Sequence, residues 1–176
     1  MNTDFSKDHF ALFGLPASFD LDLATLDHAY RELQREVHPD RHAQASDAEQ
    51  RVAAQWSTRL NEAYRTLKSP INRGRYILQL NGVDTGEETD TAMPLEFLTA
   101  QMEWRESVEN ARRSRDEAGL GSLAIEERAV RGGLIQALRN QLASMDWPAA
   151  RLSVRKLRFI DKLAEEIDLA AESMES

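Results

Sequence analysis

Residues 23–40 read LATLDHAYRELQREVHPD, and the fold turns on how that stretch runs and how it ends. Leu23, Leu26, Tyr30, Leu33 and Val37 recur at spacings of three and four, the period of a helix with one apolar stripe. The other face carries His28, Arg31, Arg35 and His38, a basic line. Asp20 or Asp22 is placed to accept hydrogen bonds from the first free amides. Pro39 disfavours helical geometry at His38 and has no amide hydrogen to continue the ladder, so the helix stops at His38-Pro39-Asp40.

A second helix starts soon after. Ser46-Asp47-Ala48-Glu49 has the pattern of a capping box, in which the serine and glutamate side chains each satisfy the other's backbone amide. Val52, Trp56, Leu60, Ala63, Tyr64 and Leu67 give it an apolar face, and Pro70 ends it. Two helices of similar length joined by a short polar loop pack antiparallel, each burying the other's stripe. His38-Pro39-Asp40 then falls on the exposed tip of a helical hairpin.

The chain has 176 residues, enough for one large or two small domains, with an ordinary hydrophobic fraction of 41%. No apolar run approaches the length that spans a bilayer, and the Met1-Asn2-Thr3-Asp4 start has the character of neither a secretory signal nor a transit peptide. A bacterial cytoplasmic chain is expected. A net charge of -8 argues against nucleic acid as a bulk partner, and no membrane partner is expected. The basic line on an otherwise acidic chain points to a specific acidic docking surface. There is no cysteine, which excludes disulfides and thiolate ligation of a metal or cluster.

Residues 81–91, NGVDTGEETDT, read as a linker, giving domains at 1–80 and 93–176 on either side of an 81–92 connection. Pro94 suits the first turn of a helix running to about Ala118. Gly119 and Gly121 then break the chain, Ser122 caps the next helix, and Asp146-Trp147-Pro148 separates that from a last helix reaching toward Met174. Three helices with short turns make an up-down-up bundle. Gly132-Gly133 implies close helix contact or a kink. In the first bundle helix, Phe97, Trp104, Val108 and Ala111 share one line, while Leu95, Leu98 and Met102 share another, continued by Arg105, Glu106 and Glu109. In the last, Leu157, Ile160, Ala164 and Ile167 form a stripe with Phe159 displaced beside it, where it can join Leu98 and Met102 in an exposed patch.

The His-Pro-Asp tripeptide after a basic helix, with Asn61-Glu62-Ala63-Tyr64-Arg65-Thr66-Leu67 in the helix that follows, resembles a J-domain up to Tyr76. Phe10-Ala11-Leu12-Phe13-Gly14-Leu15-Pro16, Arg73-Gly74-Arg75-Tyr76-Ile77-Leu78 and the run Val154 to Leu163 (VRKLRFIDKL) resemble the HscB branch of that family, which serves iron-sulfur cluster assembly. The resemblance implies an all-α protein, a J-domain followed by a three-helix bundle, with no catalytic residues and no cofactor of its own. It implies two partners. An HscA/DnaK-class heat-shock chaperone, whose ATPase it stimulates, would meet His38, Pro39 and Asp40 together with Arg31, Arg35 and Arg41. The cluster scaffold protein would meet Leu98, Met102, Glu103, Arg105, Glu106 and Phe159. Thr99 and Asn110 depart from the family pattern, which can have an apolar residue and an acid there.

Two alternatives compete. One is a J-domain protein with a different client, favoured if Leu98, Met102 and Phe159 are all buried. The other is a metal-dependent hydrolase using His38, Asp40 and His42, for which Pro39 and a hairpin tip give poor enclosure and no second ligand cluster completes the site.

Overall fold

The structure is a computed structural model that describes residues 6–37, 45–86 and 93–175. Seven helices and no strand occur among the described residues: α1 His9–Leu12, α2 Leu23–Val37, α3 Asp47–Lys68, α4 Pro70–Leu80, α5 Leu95–Ser114, α6 Glu117–Ala143 and α7 Trp147–Glu175. The chain divides into two units, Met1–Ile77 and Leu78–Ser176.

In the first unit, Asp22 starts α2 by accepting from the Ala24 amide at 3.0 Å, and Ser46 with Glu49 closes the capping box of α3. Contacts between these helices pair rising numbers on α2 with falling numbers on α3: Asp27 with Lys68, Tyr30 with Asn61, Gln34 with Ser57. The two are therefore antiparallel. Leu26, Val37, Trp56, Leu60, Ala63 and Leu67 bury together with Phe10 from α1. Leu23 and Val52 stay exposed at the hairpin's margins, and Ala53 takes the buried place next to Val52. Pro70 ends α3 as expected and also opens α4, where its missing amide hydrogen costs nothing. Ser69 serves both helices, ending α3 with its backbone and accepting from the Asn72 amide of α4 on its side-chain oxygen. Arg73 is buried; its guanidinium donates to the Leu67 carbonyl at 2.7 Å and lies over the Phe19 ring.

The second unit is the three-helix bundle. Phe97 meets Phe159 and Arg105 meets Glu166, so α5 and α7 run parallel. Arg131 meets Asp161 and Gln141 meets Ser153, so α6 runs against α7. Val108 and Ala111 of α5, Leu120 of α6, and Leu163, Ile167 and Ala170 of α7 form one buried cluster. Thr85 is also buried, and its carbonyl accepts from Arg151 Nε at 3.1 Å; residues 87–92 lie outside the described residues.

The α5–α6 junction corrects the reading of the glycines. The chain turns at Arg115, which adopts left-handed geometry (φ 52°), and Asp116 caps α6 by accepting from the Gly119 amide at 2.9 Å. Gly119 and Gly121 therefore lie inside α6, and Ser122 is not its cap. Gly119 has a local purpose: a Cβ there would sit 2.4 Å from the Asp116 carboxylate oxygen. Gly132 and Gly133 do not mark close helix contact, since nothing lies within 4 Å of a Cβ built at either.

Candidate functional site

Two surfaces carry the residues singled out from sequence, one on each unit. His38, Pro39, Asp40, Arg41 and His42 lie outside the described residues. The helix that leads into them is fully described, and it ends at Val37. His28, Arg31 and Arg35 are exposed along one side of it. Arg31 Nε donates to the Asp27 carbonyl of its own helix at 3.1 Å, and Arg35 pairs with Glu32 at 2.7 Å one turn away. The basic line is thus real but partly compensated within α2.

What holds this line in place is a polar ladder between α2 and α3. The Asn61 side-chain carbonyl accepts from Tyr30 Oη at 2.7 Å and from Gln34 Nε2 at 2.6 Å. Tyr30 stacks on Tyr64 with ring centroids 4.0 Å apart. Tyr64 Oη donates to Asp27 at 2.8 Å, and Lys68 reaches the same carboxylate at 3.1 Å. Hydrogen bonds from Tyr64 and then Lys68 hold the Asp27 carboxyl below its ordinary range, while Tyr64 and Asp27 raise Lys68. Asp27, Gln34 and Lys68 were not singled out from sequence. The signal available was weak: Asp27, Tyr30 and Gln34 share a helix face, but nothing in one helix states which polar groups the other will offer.

On the bundle, Met102 is 71% exposed and Leu95 78%. Leu98 and Phe159 are half-buried, and Glu103, Arg105 and Glu106 are exposed. Phe97, which the helical period put on the core line, is half-buried instead and meets Phe159 edge-on at 6.0 Å between centroids. Lys156 Nζ lies 5.5 Å from the Phe97 centroid, a cation over a ring face. The buried position between Phe97 and Trp104 is taken by Gln101. Arg105 Nε donates to both carboxylate oxygens of Glu166 at 3.1 Å. Glu109, further along α5, is engaged by Arg112 and Arg113, and Arg112 foremost keeps its carboxyl below the ordinary range. Phe97, Lys156 and Glu166 complete this surface; the sequence pattern placed Phe97 on the core line and did not single out Lys156 or Glu166.

Among the described residues no group of three or more His, Cys, Asp or Glu side chains is placed to hold a metal ion, and no helix is long and apolar enough to cross a membrane. The histidine-aspartate set proposed for a hydrolase lies outside the described residues.

Comparison with known proteins accounts for both units. A DnaJ domain family model matches residues 8–76, and a model described as HSCB C-terminal oligomerisation domain matches residues 93–168. The Co-chaperone protein HscB homolog of Chromobacterium violaceum is 52% identical over 179 residues, covering 99% of each chain. That of Burkholderia multivorans is 49% identical over 168 residues, covering 96% of each. Among solved structures, the chaperone HscB from Vibrio cholerae matches with a TM-score of 0.87 at 36% identity, over 96% of this chain and 99% of that one. Human co-chaperone protein HscB matches with a TM-score of 0.89 at 33% identity, over 94% and 83%. With full-length relatives at this identity and family models matching both units, the chain belongs to the HscB family of J-domain co-chaperones.

Proposed function

We propose that this protein is a two-site adaptor of the cytoplasm: the J-domain stimulates ATP hydrolysis by an HscA/DnaK-class chaperone, and the bundle delivers the iron-sulfur cluster scaffold protein to it. The observation that carries this reading is the presence on one chain of a J-domain match with His38-Pro39-Asp40 and an HscB bundle with Met102 open to solvent. The chain has no cysteine, so a cluster travels on the scaffold and not on this protein's thiolates.

The J-domain's residues act on the chaperone, where the chemistry occurs. The ring of Pro39 fixes its own φ, which lowers the ordering cost of docking. Asp40 accepts from a chaperone arginine, a charge-assisted contact that sets orientation as well as energy. Arg31, Arg35 and Arg41 steer the encounter, an effect that fades with salt. Stimulation requires that the J-domain bind the hydrolysis-competent state of the chaperone better than the resting one. On the bundle, Leu98, Met102 and Phe159 supply apolar contact and Glu103 and Glu106 supply charge. Joining both contacts raises the local concentration of scaffold at the chaperone, so each can be weak alone.

The test is single-turnover ATP hydrolysis by an HscA-class chaperone with this protein and the scaffold added singly and together. The expected result is synergy that Asp40→Asn or His38→Gln abolishes while scaffold binding persists, and that Leu98→Ala with Phe159→Ala abolishes through lost scaffold binding. Stimulation that the scaffold never enhances points instead to a different client. The exposure of Met102 supports the scaffold, because burial of Leu98, Met102 and Phe159 together would have favoured a different client.

A further inference from the structure

Resting on the scaffold-binding reading above, the geometry points to Glu166 as a positioning residue that keeps the client face acidic by turning Arg105 sideways. Arg105 is the single cation on α5 between Leu95 and Ala111. It lies one helical turn from Met102, on the line that continues Leu98 and Met102, so an unrestrained guanidinium would stand at the edge of the apolar patch. Glu166 prevents this from the neighbouring helix, taking Arg105 Nε on both carboxylate oxygens at 3.1 Å.

The remaining charges make the consequence specific. Glu109, the only acid on α5 that Arg105 could reach at i+4, is already held by Arg112 and Arg113. Glu103 and Glu106 are exposed, sit three residues apart on one side of α5, and make no ion pair among the described residues. Once the internal pairs are set aside, α5 presents two uncompensated carboxylates and no uncompensated arginine beside Met102, while on α7 the Lys156 ammonium lies over the Phe97 ring. Such a surface suits a partner segment that combines apolar and cationic side chains. Arg105 is then a residue the fold must neutralise, and Glu166 is what neutralises it.

The pair has a competing explanation as a simple brace between α5 and α7, and the two differ in sign. If Glu166 only braces, Glu166→Gln and Arg105→Gln lose affinity alike and the double variant recovers nothing. If Glu166 sequesters Arg105, removing Glu166 harms binding and removing the arginine as well restores it.

The experiment is titration of the full-length protein with purified, cluster-free scaffold protein, for the wild type, Glu166→Gln, Arg105→Gln, the double variant and Leu98→Ala/Phe159→Ala, at low and high salt. Glu166→Gln should weaken binding about five-fold, the repulsion of a released unit charge by a partner cation roughly 7 Å away in a partly aqueous surrounding. Arg105→Gln should tighten it about two-fold through the carboxylate it leaves unpaired, and the double variant, which lacks both charges, should return to wild-type affinity. The Glu166→Gln deficit should shrink as salt rises. Equal losses in both single variants, or a double variant no better than Glu166→Gln, overturn the inference. Loss of binding in Leu98→Ala/Phe159→Ala with no effect of Glu166→Gln overturns it while leaving the scaffold face intact. Undiminished binding in Leu98→Ala/Phe159→Ala removes the scaffold face itself, and with it this inference.

Discussion

Asn61→Ala should loosen the J-domain hairpin by an amount the ladder between α2 and α3 allows to be worked out. The Asn61 carbonyl oxygen is the shared acceptor for Tyr30 and Gln34, at 2.7 and 2.6 Å, and both bonds are partly buried. A hydrogen bond of this kind contributes about 1 kcal/mol net, and truncating the acceptor leaves two donors that water reaches only in part. The loss should therefore be between about 1 and 2 kcal/mol. A domain of this size unfolds with a urea slope near 1 kcal/mol/M, so the midpoint should fall by about 1–2 M. Trp56, 5% exposed, is the only tryptophan of the first unit. In a Trp104→Phe/Trp147→Phe background its fluorescence reports that unit's unfolding within the full-length chain. Tyr30→Phe, which removes one of the two donors, should cost about half as much. The decisive variant is Asn61→Asp. If Asn61 acts only as an acceptor, aspartate keeps both bonds and the midpoint stays within about 0.5 M of wild type. An Asn61→Asp protein as unstable as Asn61→Ala would refute the reasoning, since the amide nitrogen or the neutral charge would then be what matters.

Three further outcomes follow from the electrostatics and caps. The Asp27 carboxyl lies below its ordinary range because Tyr64 and Lys68 hydrogen-bond it, so the unfolded chain takes up a proton there first. Its contribution to the first unit is complete above the ordinary aspartate pKa and is lost as pH falls through the depressed one; Asp27→Asn should flatten that acid limb when urea midpoints are read at Trp56 between about pH 6 and pH 3. Glu127 is shifted the other way, raised chiefly by burial against the opposing pull of Arg131 and Arg128, with Asp161 adding to the rise. The folded bundle therefore holds that proton more tightly than the unfolded chain, and its stability should rise as pH drops from above the raised value toward the ordinary glutamate range. Glu127→Gln should remove that rise, seen as a difference from wild type in pH-dependent melts followed at Trp104 and Trp147; identical pH profiles would contradict the burial argument. Finally, Gly119→Ala should leave the bundle's stability nearly unchanged despite alanine's better helix propensity, because its Cβ displaces the Asp116 cap, whose loss costs about as much as alanine returns. After Asp116→Ala, itself costing about 1 kcal/mol as a lost cap, the same Gly119→Ala change should stabilise by roughly 1 kcal/mol, a difference between the two backgrounds that thermal melts resolve.

The parts of this molecule that could be read from its chain are those whose determinants lie within one helix. The Leu26–Val37 stripe, the Asp22 cap and the Ser46–Glu49 box each need only neighbours a turn or less away, and each appears as expected. Phe159 beside the stripe of α7 is the same kind of inference. Failure begins where two local signals compete. At the α5–α6 junction the glycines outweighed Asp116, although a glycine inside a helix costs only about 1 kcal/mol, less than the chain recovers by capping and packing. The informative pattern was the aspartate three residues before Gly119, a cap with room made for it. The four-residue α1 is too short for any period to show, and Pro70 was read as a stop although a proline that ends one helix also suits the first position of the next. Glu166 was beyond reach for a different reason. Its partner Arg105 is 61 residues away, and no spacing rule connects two helices before their register is known. The same limit bears on Arg105: from α5 alone it extends the patch, and the parallel approach of α7 adds that its guanidinium is paired with Glu166. A surface assigned from one helix therefore names the residues present but not the charge they present, and for a partner that recognises charge the helix alongside decides the sign.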